Sequence, residues 1–193
     1  GLDFETELKL LKQIREVAAA SLLIIRLDAN GAFAPVEALH KLEQLARYNI
    51  HSIEQPIKPK QMAVMAQLCQ QSPIPIALDE ELIGVVDSKD KKQLLSDINP
   101  AYIILKPTLV GGFAATQEWI TLAENQGIEW WMTSALESNI GLNAISQFTA
   151  EFDLKREQGL GTGQLYHNNI SSPLKIHSGK LYYDGTQQWG EIN

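Results

Sequence analysis

At 193 residues the chain is long enough for one sizeable core and fits one domain, and its formal net charge of −7, with no basic stripe, argues against a nucleic-acid partner. No apolar run reaches the roughly 18 residues a membrane span needs, and Gly1-Leu2-Asp3-Phe4 enters an acidic amphipathic segment rather than a signal peptide. A single cysteine, Cys69, excludes an internal disulfide framework and fits a reducing cytoplasm; set among Met65, Leu68 and Pro73 it reads as a packed thiol, not a nucleophile.

In chain order, Leu8, Leu11, Ile14 and Val17 recur at helical spacing and predict a helix from Asp3 to Ala20. A strand follows from Leu22 to Asp28. Pro35 opens a helix that runs to Tyr48 with Val36, Leu39, Leu42 and Leu45 on one face. Ile50 to Glu54 reads as a strand, Lys60 to Cys69 as a helix carrying Met62, Met65 and Leu68, and Pro75 to Asp79 as a third strand. Asp87 to Asp97 is a charged helix packing through Leu94 and Leu95, followed by a strand from Tyr102 to Lys106 and a turn at Leu109-Val110-Gly111-Gly112. Thr116 to Gln126 is a helix closed by Gly127, Ile128 to Thr133 a fifth strand, and Ile140 to Phe152 a helix. Gln158 to Gly163, QGLGTG, is a Gly-rich loop that does not match GxGxxG. Leu174 to His177 and Leu181 to Tyr183 flank Ser178-Gly179-Lys180 as a β-hairpin.

Each strand ends in a polar residue. Arg26, Asp28 and Asn30 alternate with Leu27 and Ala29 and so share one strand face, and Gly31 closes the run. Glu54, Asp79 with Glu80 beside it, Lys106, and Thr133 with Ser134 end the following strands at intervals of 25 to 27 residues, the length of one strand, one helix and two loops. A charged or polar residue at each strand end is the signature of a (β/α) barrel site, although a complete barrel typically needs about 250 residues.

Asp28, Glu54 and Asp79 sit at three consecutive strand ends. Three carboxylates placed side by side repel one another unless a cation joins them, and oxygen-only ligands suit a hard ion, Mg²⁺ first and Mn²⁺ second. Taken one at a time, each reads better as a solvated loop acid or a helix cap; the regular spacing of all three on successive strands is what favours a metal. Lys106 enters from the next strand, either for proton transfer or as a cation facing developing negative charge; the alternative is a lysine snorkelling to solvent or paired with a loop acid. Arg26 and Asn30 are read as orienting Asp28, with a structural ion pair or a turn hydrogen bond as the other account. Glu80 supports the third strand end. Thr133 to Ser138, TSALES, offers hydroxyls and backbone N–H groups that suit a substrate carboxylate, or that cap the following helix.

Other chemistries find no support. His40, His51, His167 and His177 form no HExxH or close pair, and no GxSxG elbow is present. Trp119, Trp130, Trp131 and Trp189 read as core rather than as a binding platform.

RLDANG, SIEQP, ALDEE, ILKP, TSALES and GLGTG occur in the order found in the enolase superfamily, and together they resemble its muconate-lactonising-like branch over nearly the whole chain. Within that branch IEQPI, ALDEEL, IILKPTLVGG and WWMTSALESNIGLNA look like the o-succinylbenzoate-forming members of menaquinone biosynthesis. The resemblance implies an α/β fold, a partial TIM-like (β/α) barrel over residues 1–165, with residues 166–193 a hairpin segment returning towards a capping domain. It implies a Mg²⁺-dependent lyase that dehydrates 2-succinyl-6-hydroxy-2,4-cyclohexadiene-1-carboxylate, with Asp28, Glu54 and Asp79 on the metal, Lys106 stabilising the enediolate, and Thr133 and Ser134 at the substrate. N-acylamino-acid racemisation, dipeptide epimerisation and muconate-type cycloisomerisation on the same frame are the alternatives, and an inactive metal- or partner-binding fragment is another. The family also places a Lys-x-Lys pair just upstream of where this chain begins. The chain is accordingly expected to be the C-terminal part of an enzyme, without the capping domain and the first two barrel strands, and not to turn over substrate alone.

Overall fold

A computed structural model describes residues 3–191. Strands and helices alternate: α1 (Phe4–Val17), β1 (Arg26–Asp28), α2 (Pro35–Ala46), β2 (Ser52–Glu54), α3 (Met62–Gln71), β3 (Ile76–Leu78), α4 (Ser88–Ile98), β4 (Tyr102–Leu105), α5 (Pro107–Val110), α6 (Gly112–Glu124), β5 (Glu129–Met132), α7 (Asn139–Thr149), then β6 (Leu174–His177) and β7 (Lys180–Tyr183). The first five strands form a parallel sheet in sequence order, and β6 and β7 pair antiparallel. The chain divides into two compact units. One comprises the residues up to Ile104 with Gln117–Trp130; the other comprises Leu105–Thr116 with the chain from Trp131 onward. Among the described residues no helix is long and apolar enough to cross a membrane.

In the first unit the register aligns Asp28 with Glu54, Glu54 with Ala77, and Ala77 with Tyr102. All three residues of β3 are buried, as expected of a parallel strand covered on both faces. The core is built from Leu42, Ile53, Ile57, Met65, Leu82, Leu95, Ile103 and Trp119, each at most 1% exposed.

Several boundaries differ from the sequence reading. Leu22, Leu23 and Ile24 are exposed and precede the strand, which begins only at Arg26. In α2 the buried stripe is Ala38, Leu42 and Leu45, while Val36 is 99% exposed. The face is therefore rotated from the one expected, because the small side chain of Ala38 takes the contact position. In α1 only Leu11 is buried. That helix is held by Arg15, which donates to the carbonyls of Tyr48, Leu23 and Asn49, and by the edge-on contact of Phe4 with Phe33. Leu109 and Val110 belong to the short helix α5, which Pro107 opens and Gly111 caps at φ +107°, rather than to a turn. Trp119 and Trp131 are core residues, whereas Trp130 is half-buried and donates through Nε1 to Glu124. Cys69 is packed on α3, and burial pushes its thiol up to about 12.

α4 carries a buried charge. Lys91 is 1% exposed, and its ammonium donates to the Glu118 carboxylate of α6 and lies 5.5 Å from the centre of the Trp119 ring. The Lys91 bond, with a further one from Ser88, holds the Glu118 carboxyl below its ordinary range. A depressed carboxylate contributes stability that is present above its unfolded-state value and is lost as pH falls through the folded-state value. Glu118→Gln removes the charge but keeps an acceptor for Lys91, and the Glu118 side chain is 36% exposed, so it should lower stability at pH 7 by no more than about 1 kcal/mol. It should also flatten the acid limb of the stability curve. Urea titrations of both proteins from pH 7 down to pH 3 check this; parallel curves would show that the pair is not coupled to folding.

Candidate active site at the strand ends

In the first unit the polar strand ends share one edge of the sheet. Asp28 and Glu54 are register partners, and Asp79 lies two residues beyond Ala77, the partner of Glu54. Arg26 stands two residues below Asp28 on the same strand face and in register with Ser52. The ladder continues past the strands: Ala29 donates to the Glu54 carbonyl at 3.0 Å and Gly31 to the Gln55 carbonyl at 2.7 Å. Asn30 engages Asp28 through its backbone, its N–H donating to Oδ1 at 2.9 Å in an Asx turn that carries Asn30 to φ +46° and Gly31 to φ +66°. A Cβ on Gly31 would stand 3.0 Å from the Lys58 backbone.

The residue that ties this edge together is one the sequence reading did not single out. Gln55 is fully buried and adopts φ +37° directly after Glu54. Its Oε1 accepts from the N–H groups of Asp79 at 3.2 Å and Glu81 at 3.4 Å. Its Nε2 donates to the Ile57 carbonyl at 3.0 Å and to Glu81 Oε2 at 3.2 Å. Glu81, also buried, accepts with Oε1 from the Lys60 N–H at 2.8 Å. Asp79 is 3% exposed, and its carbonyl accepts from Leu82 at 2.9 Å, so both sides of its backbone are fixed. Glu80 opens the 3-10 turn Glu80–Leu82, and its carbonyl accepts from Ile83 at 3.3 Å. Its neighbour Glu81 braces this turn with side-chain bonds to Gln55 and to the Lys60 N–H. The only sequence signal for the pair was that SIEQP and ALDEEL each place a further polar residue in a segment otherwise leading into apolar packing.

The donor set on this edge, Asp28, Glu54 and Asp79, is all carboxylate oxygen, the chemistry of a hard divalent ion. Among the described residues no three His, Cys, Asp or Glu side chains close into one metal-holding cluster. What the three share is the edge and the register.

In the second unit Lys106 directly follows β4. It is half-buried and starts α5, and its carbonyl accepts from Leu109 at 2.8 Å and Val110 at 3.1 Å. Thr133 donates its N–H to the Leu105 carbonyl at 3.0 Å, so Lys106 and Thr133 follow neighbouring strand ends. The hydroxyls of Thr133 and Ser134 in the TSALES segment have partners within the fold. Thr133 Oγ1 donates to the Gly159 carbonyl at 2.9 Å. Ser134, 5% exposed, accepts from the Leu136 N–H at 3.2 Å and shares a hydrogen bond with the Thr162 hydroxyl. Ser138 makes no side-chain cap to α7; Asn169 supplies it, accepting from the Asn139 N–H at 3.0 Å. Glu137 closes the loop by accepting from the Ala135 N–H at 2.8 Å and from the Thr108 hydroxyl.

The Gly-rich loop serves close packing. Gly159 donates to the Met132 carbonyl at 2.7 Å and forms a parallel bridge with Thr133. A Cβ there would lie 2.4 Å from Thr133 Oγ1, and one on Gly163 would lie 2.4 Å from Leu142 Cδ2.

These features define a parallel α/β protein with charged and polar residues following its strands. The family model described as enolase C-terminal domain-like matches residues 1–186, and the chain belongs to that family. The α/β partial-barrel fold expected of the enolase superfamily is thereby established. The chain is 52% identical over 181 residues to the o-succinylbenzoate synthase of Desulfotalea psychrophila, covering 94% of this chain and 49% of that protein. It is 28% identical over 156 residues to the L-amino acid-D/L-Glu epimerase of Francisella philomiragia, covering 80% of this chain and 43% of that protein. The crystal structure of MenC from Desulfotalea psychrophila superposes with a TM-score of 0.90 at 52% identity, covering 93% of this chain and 50% of that one. The muconate lactonizing enzyme of Pseudomonas fluorescens complexed with muconolactone superposes at 0.83 and 26% identity, covering 93% and 48%. The chain thus spans about half the length of the relatives it matches.

The close approach at Gly159 gives a direct test of the loop. Gly159→Ala should destabilise the protein by about 1–3 kcal/mol, the range for forcing extra atoms into a packed site. Gly161→Ala, where an added Cβ meets nothing within 4 Å, should be nearly silent. Denaturant midpoints of the two variants compare them; equal midpoints would remove the packing account of the loop.

Proposed function

We propose that the protein containing this chain is an o-succinylbenzoate synthase, a hydro-lyase converting 2-succinyl-6-hydroxy-2,4-cyclohexadiene-1-carboxylate to o-succinylbenzoate in menaquinone biosynthesis. The observation that carries this reading is the 52% identity over 94% of the chain to the Desulfotalea psychrophila enzyme of that name. Its working compartment is the cytoplasm, in keeping with a single packed cysteine, and its ligand is a small carboxylate rather than a nucleic acid or a membrane.

Asp28, Glu54 and Asp79 are the residues that would hold Mg²⁺, with Mn²⁺ as a substitute, and Arg26, Asn30 and Glu80 are assigned to orienting them. The bound ion would supply Lewis-acid charge at the substrate carboxylate. Support comes from the all-oxygen donor set and from the register that brings the three acids to consecutive strand ends. Lys106 contributes a fixed ammonium charge facing the negative charge that develops when the proton α to the carboxylate is removed. The charge then collapses with loss of hydroxide from the neighbouring carbon. The general base that took the proton returns it to the departing hydroxide, so that water leaves and the ring becomes aromatic. Thr133 and Ser134 line the substrate carboxylate, their backbone fixed through Gly159 and Leu105.

The reading is tested with the intact protein. Aromatic product should form from the cyclohexadiene substrate with Mg²⁺, cease with a chelator, and return with added Mg²⁺. Lys106→Ala should lower turnover roughly 10²–10³-fold with little change in metal affinity, the range for removing one group that stabilises developing charge. Near-normal turnover would leave Lys106 a structural residue. Epimerisation of dipeptides or racemisation of N-acylamino acids without aromatic product would replace the reaction while keeping the frame.

A further inference from the structure

We infer that Gln55 is a positioning residue for the divalent-cation site: its buried amide sets the backbone of Asp79 and couples it to Glu54, the preceding residue. The inference rests on the reading of Asp28, Glu54 and Asp79 as that site.

The argument begins with hydrogen-bonding capacity. A glutamine amide offers two N–H donors and two carbonyl lone pairs. Gln55 uses all four: Oε1 takes the N–H groups of Asp79 and Glu81, and Nε2 gives to the Ile57 carbonyl and to Glu81 Oε2. The orientation is fixed by these partners, since a flipped amide would point N–H groups at two N–H groups and its oxygen at a carbonyl and a carboxylate. The backbone of the same residue is bonded on both sides, its N–H to the Ala77 carbonyl at 2.9 Å and its carbonyl from Gly31 at 2.7 Å. Gln55 therefore links the ends of β1, β2 and β3 from a single position. Its φ of +37° bends the chain immediately after Glu54, a conformation uncommon for a side chain without local polar support.

Only the Asp79 contact aims this network at chemistry. Asp79 leaves β3 at φ −128° and ψ −81°, outside regular strand geometry. Its direction depends on what holds its peptide groups, namely Gln55 Oε1 at the N–H and Leu82 at the carbonyl. Losing the first contact removes one of the two backbone bonds that set the direction in which Asp79 leaves the strand. Groups that orient metal ligands in this way typically govern metal affinity by 10- to 100-fold.

The experiment uses the intact protein and Mn²⁺ as the probe, with bound ion read by electron paramagnetic resonance in the absence of substrate. Gln55→Met keeps the side-chain length and removes all four bonds. Its Mn²⁺ dissociation constant should rise about tenfold or more, and raising Mg²⁺ should restore most of the lost turnover with little change in substrate KM. Glu81→Gln reaches the network from its far side and leaves the bond from the Asp79 N–H in place. It should weaken Mn²⁺ binding by a smaller factor, and it serves as the test if Gln55→Met does not fold. Asp79→Asn separates the two levels of the argument. Loss of binding in Asp79→Asn with wild-type binding in Gln55→Met, or in Glu81→Gln if that variant alone folds, overturns the positioning role and leaves the cation site standing. Equal binding by wild type and Asp79→Asn overturns the cation site and the positioning role with it.

Discussion

One buried amide carries much of the order at the sheet edge of the first unit. Taking a polar side chain out of water is costly unless every donor and acceptor finds a partner, and a partly satisfied network is worse than an apolar one. Gln55 meets that condition in full, and its four partners lie on three different segments. Because those segments are the exits of β2 and β3 and the turn after β3, satisfying the amide fixes where each strand releases its chain. The backbone positions of Glu54 and Asp79 are thereby set by the same amide.

The two units solve the problem of polar groups near a core in different ways. In the first, Lys91 is buried against a carboxylate and an indole, and the sheet edge is braced by the Gln55 amide and by Glu81. In the second, bracing comes from hydroxyls and missing side chains. Thr133 reaches the Gly159 carbonyl because Gly159 has no Cβ to hold it off, and Ser134 is shared between Thr162 and the Leu136 N–H. A glycine in such a position acts through the space it leaves, so its effect on a neighbouring side chain depends on packing rather than on conformational freedom.

The alternation of strand and helix was legible in the sequence because the apolar period switches between two and 3.6 and the punctuation is strong. Pro35 does open α2, and Gly127, at positive φ, stands just beyond α6. Strand starts were less legible: Leu22 to Ile24 are apolar, but apolar character alone does not distinguish a residue entering a sheet from one approaching it. The rotation of α2 by its Ala38 contact was hidden because alanine carries little weight in a hydrophobic pattern. Strand ends were readable as polar interruptions of apolar runs. Their support was not, because Gln55 and Glu81 look like ordinary polar residues beside a turn until long-range contacts are known; Gln55 and Glu81 are 26 residues apart. The glycines of QGLGTG match no phosphate-binding pattern, and the tertiary contacts of Gly159 with Thr133 and of Gly163 with Leu142 give two of them a packing role.

A frame of this kind separates what is fixed from what is free to vary. The backbone at Asp28, Glu54 and Asp79 is held by ladder bonds and by the Gln55 amide, which bonds chiefly to backbone groups. The segment after β5 is held differently. Glu137 grips the Ala135 N–H and the Thr108 hydroxyl, Tyr166 donates to the Leu136 carbonyl at 2.7 Å, and Leu136 sits at φ +65°, half exposed. A non-glycine residue keeps that backbone conformation only where its surroundings over-determine it. Here the determinants are side chains, and one substitution at Glu137 or Tyr166 would release the loop without disturbing the sheet. Fold does not choose the reaction on a shared frame; side chains at the strand ends and in the loops beyond them do. In this chain the strand-end edge of the first unit is held by ladder bonds and by the Gln55 amide, and the Ala135–Glu137 segment by the side chains of Glu137 and Tyr166.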